Sequence, residues 1–205
     1  MRRLGFGVDT SSCTGCKACQ TACKNRHHLP VGVLWRRVYE ISGGGWRRDG
    51  EAWRHDVWAY SLSVSCNHCE EPICLEVCPA SAYTKRENGI VAHDPERCLG
   101  CGNCAWACPY GAPQLDVARG VMTKCNLCEE ELAVGRPPAC VAACPLRVLE
   151  VGDREELAAR LGPPDVAPLP DPELTVPSLR LRAHRNADRA RATGGRVRNR
   201  EEGGE

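Results

Sequence analysis

Apolar residues in this chain come in short bursts, and none approaches the roughly 18 residues of a membrane span. Residues 33–41 and 57–64 read as strands joined through Gly43, Gly44 and Gly45, which predicts a β insertion over residues 24–65. Residues 83–86 and 90–93 flank Glu87-Asn88-Gly89, the pattern of a β-hairpin with an Asn-Gly turn. Asp94-Pro95 reads as a helix start leading into Cys98. Residues 146–151 alternate like a half-buried strand. Asp153-Arg154-Glu155-Glu156-Leu157 resembles a capping box, opening a short helix that closes before Gly162. Beyond it the pattern dissolves. Pro163, Pro164, Pro168, Pro170, Pro172 and Pro177 predict an extended arm. Residues 180–205 are rich in Arg and Gly and lack aromatic residues, which predicts disorder in isolation and order on meeting a partner.

Composition changes this picture in one respect. With 205 residues, 42% of them hydrophobic, and a single Phe, an oily core would be thin, so something else must help to hold the fold. The chain has 16 cysteines, far above ordinary usage. A formal net charge of +1 gives no case for a nucleic-acid binder. Met1-Arg2-Arg3 is followed by no apolar h-region, so no cleavable signal peptide is expected and any export would be in company with a partner. Trp35, Trp46, Trp53 and Trp58 fall in the cysteine-free insertion. Packing of a small sheet is the favoured reading for them, ahead of shielding a cofactor or binding a partner.

The cysteines sort into four groups of four with none left over: Cys13, Cys16, Cys19 and Cys23; Cys66, Cys69, Cys74 and Cys78; Cys98, Cys101, Cys104 and Cys108; Cys125, Cys128, Cys140 and Cys144. The first and third share the spacing C-x2-C-x2-C-x3-C, and the other two lengthen one gap. Pro79, Pro109 and Pro145 follow the last cysteine of three groups, and Lys24 stands there in the first. A disulfide framework fits poorly, because adjacent short loops strain the bridge. Structural zinc usually takes two C-x2-C pairs across a spacer, whereas here three thiols share one tight loop. The spacing matches the bacterial ferredoxin run, in which three thiolates hold one cubane and the fourth serves the other cluster of a pair. Gly15, Gly100 and Gly102 let the backbone pass close to a cluster with its amides toward the sulfurs. His27, His28, His55, His68 and His93 are then ordinary surface histidines or lie behind the ligands.

Four such groups make two ferredoxin-like pairs. The second and third groups are adjacent, and the first and fourth enclose them. The fold class expected is α+β: two ferredoxin-like double-cluster modules, one nested between the halves of the other, with a β insertion and an extended C-terminal arm. The bounds are residues 1–23 and 117–161 for the outer module, 24–65 for the insertion, 66–116 for the inner module, and 162–205 for a Pro/Arg-rich, partner-binding arm. A compact chain of this length has a radius of gyration of about 17 Å, so four clusters inside it lie on the order of 10 Å apart, close enough for electrons to hop. Each oxidised cubane with its thiolates carries a formal charge of about −2. Lys17, Lys24, Lys85, Arg86, Lys124 and Arg147 lie near cysteines and either offset that charge or are plain surface cations.

The stretches CTGCKACQTACK, CNHCEEPICLEVCPASAYTKRENGIV, CLGCGNCAWACPYGAPQ and MTKCNLCEEELAVGRPPACVAACPLRVL resemble the four-cluster iron–sulfur electron-transfer subunits of complex iron–sulfur molybdoenzymes, most of all the dimethyl sulfoxide reductase type. The likeness runs over about residues 4–180. It implies four [4Fe–4S] clusters: one on Cys13, Cys16, Cys19 and Cys144; a second on Cys23, Cys125, Cys128 and Cys140; a third on Cys66, Cys69, Cys74 and Cys108; a fourth on Cys78, Cys98, Cys101 and Cys104. Nitrate-reductase relatives carry Trp at the position of Cys101 and a three-iron cluster, so the Cys here implies cubanes throughout. The resemblance also implies partners: a molybdopterin catalytic subunit facing the first cluster and an integral, quinol-oxidising membrane anchor facing the fourth. The chain is then peripheral to the cytoplasmic membrane through those subunits, on the periplasmic or outer face if co-exported with a twin-arginine-bearing partner. It would have no catalytic residues of its own. A free-standing polyferredoxin carrier and a zinc-stabilised assembly module are the alternatives. S- or N-oxides, polysulfide and formate all stay open as the partner's substrate.

Overall fold

Among the described residues, two three-stranded sheets and three hairpins frame the thiol-bearing loops. The computed structural model describes residues 2–200. Its strands are β1 (Leu4–Asp9), β2 (Arg37–Gly43), β3 (Trp46–Asp49), β4 (Ala52–His55), β5 (Trp58–Val64), β6 (Tyr83–Lys85), β7 (Val91–His93), β8 (Gln114–Asp116), β9 (Val121–Thr123), β10 (Leu149–Asp153), β11 (Leu179–Arg182) and β12 (Arg196–Val197). The helices are α1 (Ala18–Arg26), α2 (Ile73–Glu76), α3 (Asn103–Ala107), α4 (Glu129–Ala133), α5 (Ala139–Ala142), α6 (Arg154–Arg160) and α7 (Ala187–Thr193), with 3-10 turns at Pro95–Arg97 and Pro172–Leu174.

Each predicted hairpin forms for a local reason. β6 and β7 pair antiparallel, Tyr83 opposite His93, and Gly89 supplies the positive φ that the turn requires. Asp94 caps as expected, accepting from the Glu96 amide, but the turn it opens is a single 3-10 turn. Asp153 accepts from the Glu155 and Glu156 amides and starts α6, which ends at Arg160 as its cap predicts. The insertion is a sheet: β2 pairs antiparallel with β5, and the hairpin β3–β4 extends from it. α1 runs three residues beyond Cys23, to Arg26. Proline explains the contrast with the other groups. Where it follows the last cysteine, the helix stops before or at that residue, as at Ala107 ahead of Cys108-Pro109. Where Lys24 follows, the helix continues.

The expectation of an extended C-terminal arm that is disordered in isolation over residues 180–205 is corrected for its described part. β11 pairs parallel with β1, giving the sheet order β10-β1-β11. β12 pairs antiparallel with β2, giving β12-β2-β5. Leu179, Leu181, Ala187 and Ala190 are buried in the main core beside Phe6, Val8, Ile41 and Leu62. The physical reason is alternation inside a charged segment: Leu179 and Leu181 face inward while Arg180 and Arg182 flank them. The last five residues of the expected arm, 201–205, lie outside the described residues. Among the described residues no helix is long and apolar enough to cross a membrane.

Candidate metal centres

All sixteen cysteines are free thiols. α1 carries Cys19 and Cys23 and packs against α5, which carries Cys140. α2 carries Cys74 and packs against α3, which carries Cys104. The fold therefore brings the first cysteine group to the fourth and the second to the third. Cys16 and Cys101 are exposed; Cys13, Cys69, Cys78, Cys98 and Cys108 are half-buried; the remaining nine are buried.

Electrostatics report which thiols are neighbours. Burial pushes the Cys13 thiol up, the Gly15 amide pulls it back, and Cys19, Cys144 and Cys16 push it up again. Cys23 is pushed up to about 12 by burial, with Cys140 and Cys128 adding to the effect. Fully buried Cys125 is raised well above an ordinary thiol by desolvation, then by Cys23, Cys66 and Cys140. Cys69 and Cys74 both reach about 12, chiefly through burial and next through Cys66. Cys108 is another neighbour of both. Burial also raises Cys104, and Cys98 is the thiol beside it. Metal ligands are deprotonated thiolates, so cluster assembly must work against the burial that raises these thiols.

The four C-x2-C turns share one backbone device. The second residue after the leading cysteine is left-handed in each: Gly15 (φ 71°), His68 (φ 45°), Gly100 (φ 66°) and Leu127 (φ 61°). For His68 and Leu127 that conformation costs roughly 1–2 kcal/mol, and such strain collects at functional sites. It turns amides toward sulfur. Gly100 N donates to Cys98 Sγ at 3.4 Å, as does Met122 N at 3.4 Å. Leu127 N donates to Cys125 Sγ at 3.4 Å and Ala82 N to Cys78 Sγ at 3.3 Å. Sequence reading had found this device only where glycine marks it.

Side chains complete the surroundings. His27 Nε2 is 3.2 Å from Cys128 Sγ, and Ser63 Oγ is 3.5 Å from Cys19 Sγ. His68 is fully buried; its Nδ1 accepts from the Val91 amide at 3.1 Å, so the ring proton of the neutral form sits on Nε2, which meets no protein acceptor. Most of the cations expected to offset cluster charge are otherwise engaged. Lys24 binds the carbonyls of Pro30 and Val33. Lys85 and Arg86 pair with Glu70 and Glu129, Lys17 lies 4.0 Å from Glu40, and Arg147 donates to Ala142 O. Lys124 also binds a backbone carbonyl, that of Cys125, but it is buried and lies near Cys74. Arg36, buried against the first and fourth groups, went unrecognised, since nothing in its sequence neighbourhood sets it apart. Of the tryptophans, Trp58 packs in the core while Trp46 and Trp53 stand exposed.

Among the described residues no three Cys, His or carboxylate side chains converge on one ion-sized point. Cys66, Cys69, Cys74 and Cys108 instead line a shared cavity with Lys124 and Thr175. Thiol donors, sulfur-directed amides and an unpartnered buried imidazole suit an iron–sulfur cubane. The sixteen cysteines are consistent with four [4Fe–4S] clusters.

Comparison with known proteins agrees. A family described as "4Fe-4S dicluster domain" matches residues 57–154. The chain is 47% identical to the YnfG polypeptide of a probable anaerobic dimethyl sulfoxide reductase of Escherichia coli, over 98% of both sequences. It is 47% identical to the B subunit of anaerobic dimethyl sulfoxide reductase of the same organism, over 90% of this sequence and 91% of that one. The "Formate dehydrogenase iron-sulfur subunit" of Wolinella succinogenes is 36% identical, over 76% of this sequence and 84% of its own.

Proposed function

We propose, from the premise that this protein belongs to the family of the anaerobic dimethyl sulfoxide reductase B subunit, that it relays electrons through four [4Fe–4S] clusters between a quinol-linked membrane anchor and a molybdopterin catalytic subunit, in an S- or N-oxide reductase. The ligand sets would be Cys13, Cys16, Cys19 and Cys144; Cys23, Cys125, Cys128 and Cys140; Cys66, Cys69, Cys74 and Cys108; and Cys78, Cys98, Cys101 and Cys104. The observation that carries this reading is the meeting of α1 with α5 and of α2 with α3. It supports a pairing in which the last cysteine of one group serves the leading three of its partner. The pairing of β1 with β10 supports the nested arrangement, because it joins residues 4–9 to residues 149–153 around everything between.

When bound, the clusters supply one-electron redox chemistry. The chain's own residues hold them: amides face the sulfurs, apolar walls exclude water, and Cys66 and Cys125 approach each other where the two pairs adjoin. Cys101 lies at the surface, and in the same stretch of sequence Leu99 and Trp106 are 72% and 91% exposed. An apolar margin around an exposed ligand supports docking of a partner there, with the fourth set as the point of exchange. The proline-rich course of residues 163–177, with Pro163 and Pro168 exposed, supports a role in binding the catalytic subunit.

The test is composition and company. Anaerobically isolated protein should contain about sixteen irons and sixteen sulfides, four per cubane, and should co-purify with a molybdenum-containing subunit. Far fewer irons would end the four-cluster reading. A single small species in native extract would favour a free carrier.

A further inference from the structure

Arg36 is 1% exposed. Its Nη1 donates to Ser63 Oγ at 3.1 Å and its Nη2 to Ser65 Oγ at 2.9 Å, both neutral hydroxyls. Its guanidinium lies 4.4 Å from the centroid of the Phe6 ring, and its Nε meets no acceptor among the described residues. Among the described residues no carboxylate pairs with it. A buried cation with neutral partners is costly, and such groups are rarely kept without a counter-charge. Burial works against the charge here, and the thiols that face it are those of Cys140, Cys19, Cys125 and Cys23. Those four thiols come from two of the ligand sets, three from the second and one from the first. Ser63 lies between, touching both Arg36 and Cys19.

We propose that Arg36 is a positioning residue whose fixed positive charge is the internal counter-ion of the clusters on Cys23/Cys125/Cys128/Cys140 and Cys13/Cys16/Cys19/Cys144, and that it raises their reduction potentials. The inference rests on the ligand sets proposed above. Adding one electron to either site makes it one unit more negative. A guanidinium in a low-dielectric interior stabilises that extra charge, since solvent screening is weak there. The electron comes from the quinol-linked donor and leaves toward the catalytic partner; Arg36 gains and loses nothing. The effect is greater at the second site, where three of the four facing thiols belong.

The experiment is an EPR-monitored potentiometric titration of the full chain, purified anaerobically as wild type, Arg36→Gln and Arg36→Lys, with iron and sulfide counted in each. Arg36→Gln should keep its iron and lower the potential of at least one cluster, by about tenfold or more in the one-electron reduction equilibrium, or about 59 mV. Arg36→Lys, which keeps the charge, should stay near wild type. If Arg36→Gln loses iron while Arg36→Lys retains it, retention follows charge and the proposal stands. An unshifted Arg36→Gln with full iron would overturn it, as would equal shifts, or equal iron loss, in both variants. Wild-type protein short of iron would instead count against the four-cluster reading itself.

Discussion

His27 Nε2 approaches Cys128 Sγ to 3.2 Å, while the imidazole ring packs at a tilt against Trp35 with centroids 4.5 Å apart. Trp35 is in turn anchored by its indole N–H to Thr123 Oγ1 at 3.0 Å. The ring is held by packing and aimed at sulfur. Hydrogen bonds to cluster sulfurs help to set the potential. His27→Phe should keep all iron and lower the potential of the site that includes Cys128, by less than about tenfold in the reduction equilibrium. An EPR titration reads the shift; an unchanged midpoint would remove His27 from the electrostatic account.

Cys101 is the exposed member of its group. Cys101→Ser should cost the protein one cubane of the four, or convert it to a three-iron form, and should impair electron delivery with the other three retained. Iron and sulfide analysis checks this. An undiminished count would contradict the fourth ligand set.

A Cβ at residue 100 would lie 2.2 Å from Gly120 O, where φ is +66°; at residue 102, with φ +80°, it would meet nothing within 4 Å. Gly100→Ala therefore carries a left-handed penalty of about 1–2 kcal/mol and a steric one of about 1–3 kcal/mol. Gly102→Ala carries only the first. Chelator-driven iron release should be much faster in Gly100→Ala, and equal rates would refute the close approach of the two loops.

Leu181 is fully buried on β11. Leu181→Ala should lower the stability of the isolated chain by about 2–5 kcal/mol, read as a loss of melting temperature. A segment serving only as a partner's strap would leave the isolated chain unaffected.

Removing iron should remove most cooperative structure, because folding and metal binding are coupled. Whatever native arrangement survives will be sensitive to base. Burial lifts Cys23, Cys69 and Cys74 to about 12, from an ordinary value of 9.0. A pKa raised in the fold contributes stability that is whole below 9 and is lost as the pH climbs toward 12. Circular dichroism of the chelated chain at pH 8 and pH 10.5 should show less structure at the higher value.

Much of this was legible in the residues themselves. Asn88-Gly89 announces its hairpin, Asp153 its helix, and the cysteine spacing the chemistry, because each acts over a few residues. What escaped notice depends on distant neighbours. β1 contains Gly5 and Gly7, which argue locally against a strand. They are needed because a Cβ at Gly5 would lie 2.1 Å from Ser178 O, and one at Gly7 would meet Glu150 and Leu161. Leu179 and Leu181 alternate clearly enough, but the surrounding arginines and prolines masked them. Arg36 offers no local sign at all: its burial makes sense only beside thiols that are 17 residues upstream and 104 downstream.

The first strand of the chain is completed by nearly its last. β1 lies between β10 and β11, so during synthesis residues 4–9 must wait for residues 179–182 to leave the ribosome. Until then the sheet beside the thiol loops cannot close. Thiol loops made before that point face a sheet that still lacks its third strand.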